Sequence, residues 1–175
     1  MTPFQTALAF TLNPSVEGGR SNNKADLGKL TMAGVTQAAW DRYCQLTGLP
    51  PCPVTDSTPQ QREDLYHRLF WEPSHAGSMP LKLAVAHFDW SVNHGVSGAM
   101  KTLQRCLGVT VDGSFGPVTL DALQRADKAR LLEAQLETRE AWYAREVVID
   151  PTQVEFIDGW DNRIALLRKY LEALP

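Results

Sequence analysis

The feature that most constrains the fold is a helical spacing of apolar residues that recurs along almost the whole chain. Leu81, Ala84, Val85, Phe88 and Val92 repeat at intervals of three and four residues, which places them on one face of an α-helix. No segment shows the sustained alternation of a long half-buried strand. Caps, prolines and glycines divide the pattern into helices over about residues 4–12, 36–47, 58–71, 81–94, 97–107, 117–123, 127–147 and 152–173. The sequence therefore predicts an all-α fold.

Composition limits the class of protein further. The 175 residues are 43% hydrophobic and 21% charged, which is typical of one ordinary globular domain. A net charge of −3 argues against nucleic acid as a partner, since such binders present a basic face. No apolar run reaches the roughly 20 residues that cross a bilayer, and no signal peptide is visible at the N-terminus. Three cysteines do not form a disulfide framework, so we expect a soluble protein made in the cytoplasm.

A long polar loop follows the first helix and carries the groups best suited to chemistry. Glu17 precedes Gly18 and Gly19, and Asp26 and Thr31 follow within the same loop. A desolvated carboxyl can keep its proton near neutral pH, while a second carboxylate or a hydroxyl positions water or stabilises a sugar cation. The glycines, together with Gly34, allow sharp turns and a close approach of substrate. Taken alone, the pattern also fits a helix C-cap with a surface charge.

An ordered set of short motifs extends over most of the chain, from about residue 4 to residue 170. The motifs are Val16-Glu17-Gly18-Gly19, Asp26-Leu27-Gly28, Thr31 to Thr36, Leu65-Tyr66, Phe70 to Pro73, Phe88 to Gly95, Leu103-Gln104-Arg105, Asp112-Gly113, Gly116-Pro117, Thr119, Arg139, Trp142-Tyr143, Phe156, Gly159-Trp160 and Asn162-Arg163.

This set resembles glycoside hydrolase family 108, followed by the predicted peptidoglycan domain that usually accompanies it. The resemblance implies a lysozyme-like, two-lobed helical domain, with a short β-hairpin as an option in the 18–34 loop. It also implies an N-acetylmuramidase that cleaves the β-1,4 bond between N-acetylmuramic acid and N-acetylglucosamine, with Glu17 as the general acid. Asp26 and Thr31 match the carboxylate and the hydroxyl of related phage lysozymes. No metal or organic cofactor is implied.

The resemblance also predicts the organisation and the setting of the protein. Residues 1–78 would form the catalytic part and residues 79–175 the peptidoglycan-domain part, joined in one compact unit. We expect a monomer that acts on bacterial peptidoglycan in the periplasm or outside the cell, without inserting into a membrane. An endolysin of a phage fits this combination of substrate and missing signal peptide.

The sequence departs from the family pattern around the proposed acid. Val16 and Arg20 stand where the family has a histidine and an aromatic residue, and Lys29 and Met32 replace a glycine and an asparagine. These changes bear on the substrate contacts more than on Glu17 itself. We hypothesise that Val16 makes the surroundings of Glu17 less polar and so raises the pKa of its carboxyl group.

Other residues leave alternatives open. Asp89 is either a second catalytic carboxylate or a buried aspartate that accepts hydrogen bonds from turn N–H groups. His87, His94 and Cys106 allow a zinc amidase, although no typical zinc-ligand spacing is present. A third alternative is a peptidoglycan-binding or export-associated protein without catalysis.

Two further features have a functional and a structural interpretation. The turn over residues 112–117 resembles a peptidoglycan-binding motif, but it also fits a connector between two helices. Trp142 and Trp160 could stack on sugar rings, and their helical spacing favours packing in the core.

Overall fold

The chain folds into a helical protein, and the all-α prediction is confirmed. The computed structural model describes residues 1–14, 16 and 31–175. Within these residues, none of the helices is long and apolar enough to span a membrane. The helices and strands of the described part are α1 (Pro3–Thr11), β1 (Thr31–Met32), β2 (Val35–Thr36), α2 (Gln37–Thr47), α3 (Pro59–Tyr66), α4 (Leu81–His94), α5 (Val96–Leu107), α6 (Pro117–Arg125), α7 (Lys128–Ile149) and α8 (Ile157–Ala173).

Threonine caps start three helices of the N-terminal half. Thr2 and Thr58 each accept a hydrogen bond from the backbone N–H three residues on, and a glutamine at that position bonds back to the cap. This reciprocal pair satisfies two N–H groups that a helix start otherwise leaves unpaired. Thr36 caps α2 through the N–H of Ala39, and Gly48 ends that helix with a φ of 73°. The predicted bounds of α2 and the predicted start of α3 are therefore confirmed.

A two-residue turn connects β1 and β2 into a small antiparallel hairpin. Thr31 pairs with Thr36, and Met32 pairs with Val35. The turn residues Ala33 and Gly34 both have positive φ, at 49° and 78°, as a tight hairpin turn requires. A hairpin was an option for the 18–34 loop; the observed one spans residues 31–36, so its second strand lies beyond that loop.

Helix α4 lies at the centre of the molecule. Every residue from Leu83 to Ser91 is buried, because α4 packs against α1, α5, α7 and α8. A helix that is covered on all sides must be apolar around its whole circumference or must pair its polar groups. This helix is mainly apolar, with Asp89 as its one fully buried carboxylate.

Two predicted helices are interrupted in the structure. The helix expected over residues 58–71 continues beyond α3 as a π-helical turn, His67–Trp71, and the wider turn allows both Leu69 and Trp71 to reach the core. The helix expected over residues 152–173 begins as a 3₁₀ segment, Pro151–Phe156, which is capped by Asp150. Residues 157–173 then form α8.

Candidate active site

The structure describes only two of the predicted site residues, Thr31 and Gly34. The other four lie outside the described residues, so their roles stay predictions: Glu17, Gly18, Gly19 and Asp26. The backbone of Thr31 forms part of β1. Gly34 occupies the hairpin turn, where its positive φ gives a structural reason for glycine in addition to the predicted contact with substrate.

The residue before Glu17 is attached to the core. After α1, the N–H of Asn13 donates to the carbonyl of Phe10, at 3.0 Å, and the N–H of Val16 donates to the carbonyl of Asn13, at 2.8 Å. The side chain of Val16 is only 6% exposed and belongs to the main hydrophobic core. The core therefore fixes the chain at the point that immediately precedes the proposed acid.

The hairpin is anchored to the connector that follows α2. Val35 and Val54 are both buried in the main core. The side-chain amide of Gln37 donates to the carbonyl of Cys52, at 3.1 Å, and its oxygen accepts from the N–H of Val54, at 2.8 Å. The side chain of Gln37 thus joins the start of α2 to the connector. The hairpin ends at Thr36, directly before this contact.

A buried charged centre lies between the N-terminal and C-terminal helices. Asp89 on α4 is fully buried and receives hydrogen bonds from three other helices. Thr11 on α1 donates to Oδ1 at 3.1 Å, and Arg139 on α7 donates from Nη1 to Oδ2 at 2.7 Å. Arg163 on α8 binds both carboxylate oxygens, from Nη2 at 2.6 Å and from Nε at 3.2 Å. This one carboxylate therefore joins α1, α4, α7 and α8.

The electrostatics of this centre keep Asp89 ionised. Burial alone would raise the pKa of the carboxyl group, but the two guanidinium groups of Arg139 and Arg163 lower it overall. Arg139 is itself almost wholly buried; its guanidinium lies 4.7 Å from the ring centre of Trp90, and its Nε donates to the hydroxyl of Tyr143 at 3.1 Å. Breaking such a centre would leave charges in the core without a partner.

These contacts correct the interpretation of Asp89. The residue is buried, as the structural alternative expected, but its partners are two arginines and a threonine rather than N–H groups of a turn. A carboxylate with no solvent exposure and four hydrogen bonds is not available to act on substrate. The pairing of Asp89 with the two arginines was not predicted from the sequence. One signal for it was present, because Arg139 lies on the same inward face of its helix as the buried Gln135 and Tyr143.

The histidines do not gather into a metal site. Among residues 1–14, 16 and 31–175, no three His, Cys, Asp or Glu side chains lie close enough to share a metal ion. His87 is fully buried, and burial lowers its pKa to about 4. His94 instead stacks on Trp90, with ring centres 4.4 Å apart. The described residues therefore offer no support for the zinc alternative.

Trp142 and Trp160 belong to a second, smaller aromatic cluster. This cluster has Trp90, Tyr143 and Ile164 at its centre, and the two other tryptophans pack on it while remaining half-buried. Tyr143 and Trp160 stack with ring centres 4.7 Å apart. The expected packing role is thus present for both tryptophans, and each also keeps part of its ring accessible.

The turn over residues 112–117 is held from inside by a buried glutamine. The amide group of Gln104 donates to Oδ1 of Asp112, at 2.7 Å, and its oxygen accepts from the N–H of Gly113, at 2.8 Å. Gly113 has a φ of 81°, which favours glycine, and Pro117 starts α6. These contacts agree with the interpretation of the segment as a connector between helices.

Comparison with solved structures supports the predicted fold class over almost the whole chain. The structure of SagA from Brucella abortus superimposes with a TM-score of 0.78, covering 97% of this chain and 94% of that chain, at 25% sequence identity. The lysozyme-like helical class predicted from the sequence is confirmed. A search of curated proteins finds no match.

Two family models account for most of the chain. Residues 10–95 match the model described as Glycosyl hydrolase 108, and residues 98–165 match the model described as Predicted Peptidoglycan domain. The fold and these matches define a glycoside hydrolase that acts on peptidoglycan. The chain thus resembles the glycosyl hydrolase 108 family in its N-terminal part and the peptidoglycan domain in its C-terminal part.

Proposed function

We propose that the protein is an N-acetylmuramidase that hydrolyses the β-1,4 bond between N-acetylmuramic acid and N-acetylglucosamine. Glu17 is the general acid, and Asp26 and Thr31 are its partners. All three residues lie inside the segment that matches the glycosyl hydrolase 108 model, residues 10–95. Gly18, Gly19 and Gly34 allow the substrate to come close to the backbone.

The chemistry needs two groups with different protonation states. Glu17, in its protonated form, donates its proton to the glycosidic oxygen as the bond to the sugar breaks. Asp26, in its ionised form, positions the attacking water or stabilises the positive charge on the sugar ring, with the hydroxyl of Thr31 as a further polar contact. A separation between the carboxyl groups of about 6.5–9.5 Å would give inversion at the sugar carbon, and about 5–5.5 Å would give retention.

The observation that carries this proposal is the match of residues 10–95 to the Glycosyl hydrolase 108 model, and the buried link from α1 to the C-terminal helices supports it. Thr11, six residues before Glu17, bonds to Asp89, and Asp89 holds Arg139 and Arg163. The helix that leads to the proposed acid is therefore braced by both family segments. Such bracing suits a catalytic acid, since small displacements of a reacting group reduce rates strongly.

The same link supports a single working unit. We propose that residues 1–78, the catalytic part, and residues 79–175, the peptidoglycan-domain part, fold and act together as a monomer. α4 belongs to the second part by this division, yet it makes its most extensive helix contact with α1 of the first part. Separate expression of the two parts would remove the hydrogen bond between Thr11 and Asp89 and the packing of α1 on α4.

The substrate lies outside the cytoplasmic membrane, so we place the activity in the periplasm or outside the cell. We propose a bacteriolytic role of the endolysin type, in which a phage product digests the wall of its host. Purified protein should then clear a suspension of bacteria whose outer membrane has been removed. If the suspension stays turbid although the protein hydrolyses isolated peptidoglycan, the lytic role is contradicted and the muramidase activity is not.

The test of the proposed acid is Glu17→Gln, which keeps the shape of the side chain and removes the proton. On purified peptidoglycan, the release of reducing ends should fall by about 10²- to 10⁴-fold. The matched control is Glu63→Gln on the exposed side of α3, which should keep full activity. A chelator should leave the wild-type rate unchanged, whereas a zinc amidase would lose its activity and would release amines instead of reducing ends. Equal activity of Glu17→Gln and the control would overturn the proposal.

A further inference from the structure

A cleft of about 420 Å³ lies between α5 and α7. The side chains that line it recur at every third or fourth position on the facing sides of the two helices. This spacing gives each helix one continuous strip along the cleft. The lining residues are His94, Gly98, Lys101, Thr102, Arg105, Thr138, Ala141, Trp142 and Arg145.

The charged groups of this cleft all have one sign. Lys101, Arg105 and Arg145 line it, and none of its lining residues is acidic. Within the described part of the chain, none of these three cations forms an ion pair with a carboxylate. Opposing charges are present close by: Glu146 influences His94 electrostatically, and Glu137 acts on Cys106, which Arg105 also influences. The protein as a whole has 17 basic and 20 acidic residues, so this concentration of positive charge is local.

One wall of the cleft is aromatic. The ring of His94 contacts both Trp90 and Trp142, with ring centres 4.4 Å and 4.2 Å away, and the two indoles also contact each other at 5.5 Å. A Cβ atom at Gly98 would lie 2.5 Å from Cδ2 of His94, so glycine is what allows the ring to lie against α5. Trp142 lines the cleft together with the cations and stays partly exposed.

This combination fits a ligand with carboxylates and flat amide groups. In intact peptidoglycan the amino groups of the sugars are acetylated and the lactyl carboxyl of N-acetylmuramic acid is in amide linkage to the stem peptide. The negative charges of such a polymer are on the carboxylates of its stem peptides. Every lining residue except His94 lies within residues 98–165, the segment that matches the peptidoglycan domain. A cleft of this volume accommodates a few peptide units.

We propose that the cleft between α5 and α7 binds the stem-peptide carboxylates of peptidoglycan through Lys101, Arg105 and Arg145, with Trp142 against the peptide amides. The inference rests on the proposed function, because it takes peptidoglycan as the substrate. It adds a second contact on the polymer, separate from the glycan bond at Glu17. Arg105 and Arg145 are exposed, so their removal should leave the fold intact.

The direct test titrates a soluble stem tetrapeptide, with free carboxylates, into the full-length protein and follows tryptophan fluorescence. Arg105→Gln/Arg145→Gln should bind about tenfold more weakly than wild type, and added salt should weaken wild-type binding. The control is Arg42→Gln/Arg130→Gln, which removes the same charge at exposed positions elsewhere and should bind like wild type. Equal losses in both double variants, undiminished binding of a fully amidated peptide, or binding of inorganic phosphate without the peptide would each overturn the proposal.

A kinetic experiment separates this inference from the proposed function. Hydrolysis is measured on intact peptidoglycan and on peptidoglycan whose stem-peptide carboxylates have been chemically amidated. Arg105→Gln/Arg145→Gln should raise KM on intact peptidoglycan by about tenfold with kcat unchanged, and should behave like wild type on the amidated polymer. Wild-type hydrolysis of neither substrate would refute the muramidase and leave the titration to decide on the cleft. Normal hydrolysis of both substrates by the double variant would refute the cleft alone.

Discussion

The guanidinium group of Arg163 donates hydrogen bonds to both oxygens of the Asp89 carboxylate, at 2.6 Å and 3.2 Å, although the two residues are 74 positions apart in the sequence. Two parallel N–H bonds to one carboxylate fix the relative orientation of the groups as well as their distance. The pair joins α8, near the C-terminus, to α4 at the centre of the molecule. Because Thr11 binds the same carboxylate, the position of α1 depends on a contact between distant parts of the chain.

Asp89→Asn should destabilise the protein strongly. The substitution removes the negative charge and leaves Arg139 and Arg163 close together in the core without compensation. Loss of one member of a buried charged group typically costs about 3–5 kcal/mol. The free energy of unfolding, measured by urea titration, should fall by an amount in this range.

The control for that experiment is Asp121→Asn. Asp121 also pairs with an arginine, Arg125, but both side chains are largely exposed. Exposed pairs contribute between about 0 and 1 kcal/mol, so this variant should stay close to wild type. Similar losses for Asp89→Asn and Asp121→Asn would contradict the importance of the buried centre.

The stability of the protein should decrease between about pH 6.5 and pH 4 because of His87. Burial lowers the pKa of this histidine to about 4 in the folded protein, from 6.5 when it is unfolded. The unfolded chain therefore takes up a proton first as the pH falls, and this favours unfolding. The contribution of the uncharged His87 to the free energy of unfolding is fully present above pH 6.5. It falls by about 3 kcal/mol as the pH decreases to 4.

The measurement for His87 compares the pH dependence of unfolding in wild type and in His87→Gln. The variant should have a flatter profile between pH 4 and pH 6.5, whatever its absolute stability. Asp89 contributes at lower pH, since its lowered pKa gives stability that is lost only as the pH falls through the folded value. Parallel profiles for the two proteins would show that His87 is not the buried neutral group described above.

Alanine substitutions at two helical glycines, Gly98 and Gly159, should change the stability of the protein in opposite directions. At Gly98 an added Cβ would lie 2.5 Å from the ring of His94, which Trp90 and Trp142 hold in place, so Gly98→Ala should cost about 1–3 kcal/mol. At Gly159 an added Cβ meets nothing within 4 Å, so Gly159→Ala should stabilise α8 by up to about 1 kcal/mol. Thermal unfolding of the two variants decides the matter, and a stabilised Gly98→Ala would contradict the packing of His94.

Gln104→Leu should loosen the turn over residues 112–117. The fully buried glutamine satisfies Asp112, the N–H of Gly113 and the hydroxyl of Thr119. Leucine has a similar volume but leaves the N–H of Gly113 without its acceptor, at a cost of about 1–3 kcal/mol, while Asp112 and Thr119 each keep a bond to Ser114. Faster hydrogen exchange at Gly113, together with reduced stability, is the expected result. Unchanged exchange there would show that the turn is held by its own backbone.

The sequence predicted those parts of the fold that depend on local patterns. The apolar spacing from Leu81 to Val92 predicted α4, and Thr36, Thr58 and Gly48 mark the helix ends that the structure contains. Such features follow from residues three or four positions apart, which is the range that a single sequence reveals.

The partners of Asp89 could not be predicted in the same way. They lie 78, 50 and 74 residues away in sequence, so only the packing of four helices brings them together. The π-helical turn at His67–Trp71 was also missed, because the spacing of apolar residues gives no signal for it; its residues Leu69 and Trp71 are buried in the main core. Within the candidate site, the hairpin around Gly34 follows from its turn residues, whereas the roles of Glu17 and Asp26 come from the resemblance and stay predictions.

The central claim concerns which bond is cleaved, and the sugar at the new reducing end tests it most directly. Purified peptidoglycan is digested to completion, the products are reduced with borohydride, and the reduced sugars are identified by mass spectrometry. A muramidase leaves N-acetylmuramic acid at every new reducing end, and Glu17→Gln should release these ends about 10²- to 10⁴-fold more slowly. Products that end in reduced N-acetylglucosamine, or free amines without new reducing ends, would contradict the account.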